Sequence, residues 1–158
     1  MYKRQAFIGW KQEPDDYLEH ILGHDRLEKL NPIRTFRDNN IVVSFGSDAP
    51  CTTPDPIAWM DRAVNNDNAG QAVSVQDALR MCTYNGAWAA FDEQERGSLE
   101  AGKIADMAVL SENPYTVPKD KIKDIRVERL YLSGKSYESC RESILPMMLR
   151  GLTSWNKT

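Results

Sequence analysis

The chain has 158 residues, 41% of them hydrophobic and 27% charged, with a formal net charge of -3. That composition provides for one domain with a real core and excludes a disordered or fibrous chain. Lys and Arg are scattered rather than clustered, so no field gathers nucleic acid or an anionic membrane, and no apolar run approaches the roughly twenty residues of a membrane span.

Met1 to Gln5 lack the apolar centre of a signal peptide and fit no element that follows, so residues 1–14 read as a non-native or truncated leader. From Asp15 to Leu30, Tyr17, Leu18, Ile21, Leu22, Leu27 and Leu30 recur at helical spacing, with Gly23 as a break between two short helices. Asn31-Pro32 then reads as a cap followed by proline at the first helical position, and Asn39-Asn40 end that helix. Ile41 to Phe45 are apolar and rich in β-branched residues, the pattern of a strand buried on both faces in a parallel sheet.

This strand opens into Gly46-Ser47-Asp48-Ala49-Pro50, followed by a proline-stiffened loop. Pro56 starts a helix through about Val64, Asn65 to Gly70 form a polar loop, and Ser74 with Asp77 caps a further helix whose small face includes Ala78, Leu79, Met81 and Cys82 and continues to Ala89 and Ala90. After Arg96 the runs shorten: Met107 to Leu110 and Val127 to Leu132 read as strands. Asn113 to Lys123 read as a polar connection, Ser133-Gly134-Lys135 as a hairpin turn into Ser136 to Glu138, and Ser143 to Leu152 as a last short helix interrupted at Pro146.

Asp48 is the residue placed for chemistry. The carboxyl end of a parallel strand is where barrel and open α/β enzymes hold their reacting groups. A carboxylate there can bind a metal ion or take a proton from a bound water. An aspartate after a strand is also an ordinary turn residue, accepting bonds from nearby N–H groups, and local pattern alone leaves both readings open. His20 and His24, four apart after Glu19, imitate a helical zinc pair, but the glutamate stands on the wrong side and Gly23 interrupts the helix, so they read as surface or packing histidines.

The segment Gly97 to Lys103 has no phosphate-loop spacing and reads as a turn. Trp59 and Trp88 read as packing residues, and Asp55, Asp61 and Asp67 as caps and solvated charges rather than a calcium loop. The three cysteines, Cys51, Cys82 and Cys140, are odd in number and far apart, which fits a reducing cytoplasm better than a disulfide framework.

Three segments carry a resemblance: Val43 to Pro50 with Asp55-Pro56, Ala78 to Ala87, and Gly97 to Leu110. In this order they resemble the C-terminal third of metal-dependent amidohydrolases, most of all the branch called amidohydrolase family 3, which includes N-substituted formamide deformylase. Leu22 to Arg26 resemble the helical segment before that branch's last barrel strand, so the likeness runs from about Asp15 to Tyr137.

The resemblance implies an α/β fold, the C-terminal part of a (β/α)8 TIM barrel (last strand and following helices) plus part of a small β-sandwich. The expected division is 15–95 for the barrel portion, 96–140 for the partial sandwich and 141–158 for a tail with a short helix. It also implies a hydrolase of carbon–nitrogen bonds such as amides or formamides, with Asp48 as both catalytic residue and metal ligand. The metal would be divalent, zinc by family, and the substrate a small amide-type molecule.

The family's His-x-His pair and its further histidine ligands have no counterpart in this sequence. The chain is therefore expected to be a C-terminal fragment, binding no metal and inactive alone, which needs the missing N-terminal part or a complementing chain. The rival readings are a complementing subunit of a split enzyme, and a non-catalytic regulatory or binding domain with a strand-end aspartate.

Overall fold

The computed structural model describes residues 3–7, 15–49 and 53–137. The apolar run after Asn40 forms strand β2, Val42–Gly46, with Val43, Ser44 and Phe45 all buried. Successive strand residues face opposite sides, so three buried in a row mean that both faces are covered. Its neighbour is a finding the sequence did not suggest: Lys3–Phe7 form strand β1, parallel to β2, in continuous register from Lys3 opposite Val42 to Phe7 opposite Gly46. Met1 to Gln5 had fitted no element, yet Lys3 to Gln5 lie in β1.

Parallel neighbours need a crossover, and its described part is helical: α1 (Asp15–Leu22), α2 (His24–Leu27) and α3 (Ile33–Asp38). Gly23 separates α1 from α2 at φ +76, a backbone region open to glycine without penalty. Helix α3 starts one residue later than the sequence suggests. Asn31 has φ +49, which makes it a turn residue, and Pro32 becomes the cap. Asn39 and Asn40 end α3 as expected, and Ile41 N–H donates to Phe36 C=O at 2.9 Å, which leads the chain directly into β2.

Helix α4, Pro56–Val64, is capped by Asp55, whose carboxylate accepts from Ile57 N–H (3.0 Å) and Ala58 N–H (3.2 Å). Helix α5, Val75–Cys82, is capped by Ser74: its hydroxyl accepts from Asp77 N–H at 3.0 Å and donates to the Asp77 carboxylate at 2.6 Å. The helix expected to continue to Ala90 breaks at Thr83, with φ -122 and ψ -91, and α6 (Tyr84–Ala89) starts on a new axis. The Thr83 hydroxyl donates back to Leu79 C=O at 2.8 Å, a bond to the preceding turn that eases the chain out of the helix.

Buried Ile33, Val43, Phe45, Met60, Ala63, Val64, Val73, Ala78, Met81, Ile122 and Ile125 make one core. Ile122 belongs to a stretch read as a polar connection, yet it is fully buried on a short 3-10 turn, Lys119–Asp124, that packs on α4. Asn65 ties the same contact by donating to Lys119 C=O at 2.8 Å. The core therefore draws side chains from both sides of the division expected near residue 95.

A second sheet has the order β3-β4-β5, antiparallel throughout: β3 Met107–Leu110, β4 Val127–Leu132 and β5 Lys135–Ser136. Ser133 (φ +51) and Gly134 (φ +76) form the two-residue hairpin turn, whose positive φ at both positions matches the twist of the strands. Asp106 holds this turn in place, accepting from Ser133 N–H at 2.7 Å and pairing with Arg96. Glu138 and the helix expected over Ser143 to Leu152 lie outside the described residues.

Candidate functional site

Strand β2 delivers its carboxyl end to the surface in two steps: Ser47 is still buried, Asp48 is exposed. Asp48 has φ +51, in the left-handed region that aspartate tolerates better than most side chains. The chain thus turns sharply at the residue where the strand breaks open, and both the turn reading and the site reading of Asp48 describe this geometry. Among the described residues the Asp48 carboxylate has no hydrogen-bond or ion-pair partner.

The backbone of β2 is held by its surroundings. Helices α3, α5 and α6 pack against it and β1 pairs along it. From α6, Asn85 Nδ2 donates to Val43 C=O at 2.7 Å, a side-chain bond spanning 42 positions of sequence. The sequence reading did not single out Asn85; its signal is a lone amide in the first turn of a helix otherwise made of aromatic, glycine and alanine residues.

The other candidates fall where elementary chemistry puts them. His20 and His24 are exposed, and His24 lies between acids, 3.2 Å from Glu19 and 3.6 Å from Glu28. Asp55 caps α4, Asp61 accepts from the Asn65 amide at 2.9 Å, and Asp67 pairs with Arg62 at 3.7 Å. Trp59 packs against the core, with its indole N–H buried and unpartnered among the described residues. Burial pushes the Cys82 thiol up to about 12, which makes it an inert packing group; Cys51 and Cys140 lie outside the described residues.

Around Gly97 to Lys103, the Lys103 ammonium donates to Ser98 Oγ (2.6 Å) and Glu93 C=O (2.7 Å) and lies 3.4 Å from Glu100. Those bonds close a turn and leave no phosphate cradle.

Among the described residues, no three His, Cys, Asp or Glu side chains gather into a group that could hold a metal ion. A catalytic zinc ordinarily takes about three protein ligands. The described residues therefore do not fit a complete metal centre; Asp48 is one carboxylate of the kind such a centre uses. No helix among them is long and apolar enough to cross a membrane.

Comparison with known proteins gives this geometry a context. N-substituted formamide deformylase of Arthrobacter pascens is 34% identical over 137 residues, which is 82% of this chain and 23% of that protein. A 5-methylthioadenosine/S-adenosylhomocysteine deaminase of Thermoanaerobacter pseudethanolicus is 31% identical over 96 residues, 55% of this chain and 22% of the deaminase. Among solved structures, a zinc-bound adenosine deaminase from Xanthomonas campestris superposes with a TM-score of 0.56 at 19% identity, covering 79% of this chain and 33% of that one, a likeness of fold alone. The chain thus spans about a quarter of the length of the curated relatives it matches. The amidohydrolase family model matches residues 1–137, and on that match the chain belongs to the amidohydrolase family, in its family 3 branch.

Proposed function

We propose that the chain is the C-terminal portion of a cytoplasmic, metal-dependent hydrolase of non-peptide carbon–nitrogen bonds, with a small amide or formamide as substrate. In this reading β2 is the last strand of the barrel, β3 to β5 are part of the accompanying sandwich, and Asp48 is the site carboxylate. The observation that carries it is the place of Asp48: the first exposed side chain beyond a strand buried on both faces, in a chain of this family.

The chemistry asked of Asp48 is proton transfer. Water adds to the amide carbon, the carboxylate takes a proton from that water, and it delivers the proton to the nitrogen as the carbon–nitrogen bond breaks. A divalent metal, zinc by likeness to the family, would acidify the water and polarise the carbonyl; its other ligands would come from the remaining barrel strands.

The test is a chimaera in which residues 15–137 replace the matching segment of the Arthrobacter pascens deformylase, assayed by formate release. It should turn over N-substituted formamides, and Asp48→Asn should lower kcat by about 10²–10⁴ with the protein still folded, the usual worth of a positioned acid–base group. Full turnover by the Asp48→Asn chimaera would refute the role. The 158-residue chain alone should release no formate, with or without added zinc.

A further inference from the structure

We propose that Asn85 is a positioning residue for Asp48: its side-chain amide, donating to the Val43 carbonyl, sets where β2 ends relative to α6 and so where the Asp48 carboxylate stands. The inference rests on the reading of Asp48 as the site carboxylate and adds a residue to that reading. Asp48 is exposed and has no side-chain partner among the described residues. Its place is inherited from the five preceding positions of a strand that runs from a fixed point at Val43, 1% exposed, to the turn at φ +51.

Pairing with β1 sets the register of β2 along one edge, and Ile41 N–H on Phe36 C=O fixes its start. On the helical side the contacts with α3 and α5 are non-directional packing, and the 2.7 Å bond from Asn85 adds a directional tie between β2 and α6. The chain breaks at Thr83, and α6, which starts there and packs on β2 as α5 does, carries Asn85 in its first turn.

Helix α6 is itself braced by a second contact. Gly97 comes so close that a Cβ there would lie 2.7 Å from Ala87 Cβ and 3.0 Å from Tyr84 Cα. The turn containing Gly97 is drawn shut by Lys103. A line of contacts thus runs from the Gly97 turn through α6 and Asn85 to the backbone of β2, and ends at Asp48.

The experiment uses the full 158-residue chain, with hydrogen exchange read by mass spectrometry and the carboxyl carbons of labelled aspartates read by NMR. Asn85→Leu keeps the size of the side chain and removes the donor. Peptides over residues 41–48 should then exchange about tenfold faster, the order of one lost hydrogen bond, while peptides over α4 keep their rates. The Asp48 carboxyl resonance should move, and that of Asp55 should not. Asn85→Gln, which keeps the donor, should restore much of both signals. Should Asn85→Leu fail to fold, Asn85→Ser, too short to reach Val43, is read in the same way.

Equal acceleration over β2 and α4, or an unmoved Asp48 resonance, would overturn the inference and leave Asn85 as a packing residue. These readouts contain no catalytic step. An active Asp48→Asn chimaera would remove the proposed chemistry without touching them, so the two failures are separable.

Discussion

Two glycines of one turn, Gly97 and Gly102, predict different costs for the same substitution. Both have positive φ, +86 and +95, so alanine at either site pays for left-handed backbone, about 1–2 kcal/mol. At Gly102 that is the whole cost, since an added Cβ meets nothing within 4 Å. At Gly97 the Cβ would fall 2.7 Å from Ala87 Cβ and 3.0 Å from Tyr84 Cα, one of them backbone. Ala87 and Tyr84 both belong to α6, so relief requires moving the helix, and overpacking of this kind costs about 1–3 kcal/mol more. Urea unfolding followed by tryptophan fluorescence measures the difference. With a slope of about 2 kcal/mol/M, Gly97→Ala should unfold about 0.5–1.5 M earlier than Gly102→Ala. Equal midpoints for the two variants would refute the close approach and, with it, the bracing of α6.

Acid should act through Asp77. Burial raises its pKa, but the Ser74 hydroxyl and the Arg37 guanidinium at 2.6 Å outweigh it and hold the carboxyl below the usual aspartate range. A depressed folded pKa gives stability that is present above the unfolded value and is lost as pH falls through the folded one. Arg37→Met should therefore cost about 1 kcal/mol at pH 7, a modest figure because both groups are partly exposed, and the gap to the parent should close as the pH falls through and below the ordinary aspartate range; a gap constant with pH would exclude the pair as its source. Cys82, with its thiol pushed up to about 12 by burial, should resist iodoacetamide in the folded chain and react in urea, as followed by peptide mapping; rapid labelling of Cys82 without denaturant would contradict its burial.

The features legible in the sequence are those decided by neighbours along the chain. Asp55 before Pro56, and Ser74 before Asp77, each satisfy orphan N–H groups within one helical turn, so the start of α4 and α5 could be read directly. The run from Ile41 announced β2 because no other element needs β-branched residues on both faces. Asp48 was visible for the same reason, as the first charge beyond that run.

What escaped the sequence was decided at a distance. Of Lys3–Phe7 only Ala6 and Phe7 are apolar, and the segment is a strand because β2 offers it a parallel edge. Ile122 stands alone among charged residues, the local signature of a loop, yet α4 provides a surface that buries it completely. The break at Thr83 has no proline or glycine to mark it, and a back-bonding hydroxyl is too common in helices to be a signal by itself.

The division between local and distant causes also separates the scaffold from the chemistry. Among the described residues, the groups that hold the strand leading to Asp48 lie on packed elements: β2 itself, the β1 pairing, α3, α5 and the Asn85 amide. The carboxylate is exposed and contributes little to packing, so its replacement by asparagine, which also tolerates positive φ, should leave stability within about 0.5 kcal/mol. Core positions behave in the opposite way. Ile122→Ala removes a fully buried side chain and should cost about 2–5 kcal/mol while leaving the Asp48 turn chemically intact. If Asp48→Asn were instead as destabilising as Ile122→Ala, the aspartate would be a structural turn residue first, held for stability and not presented for chemistry.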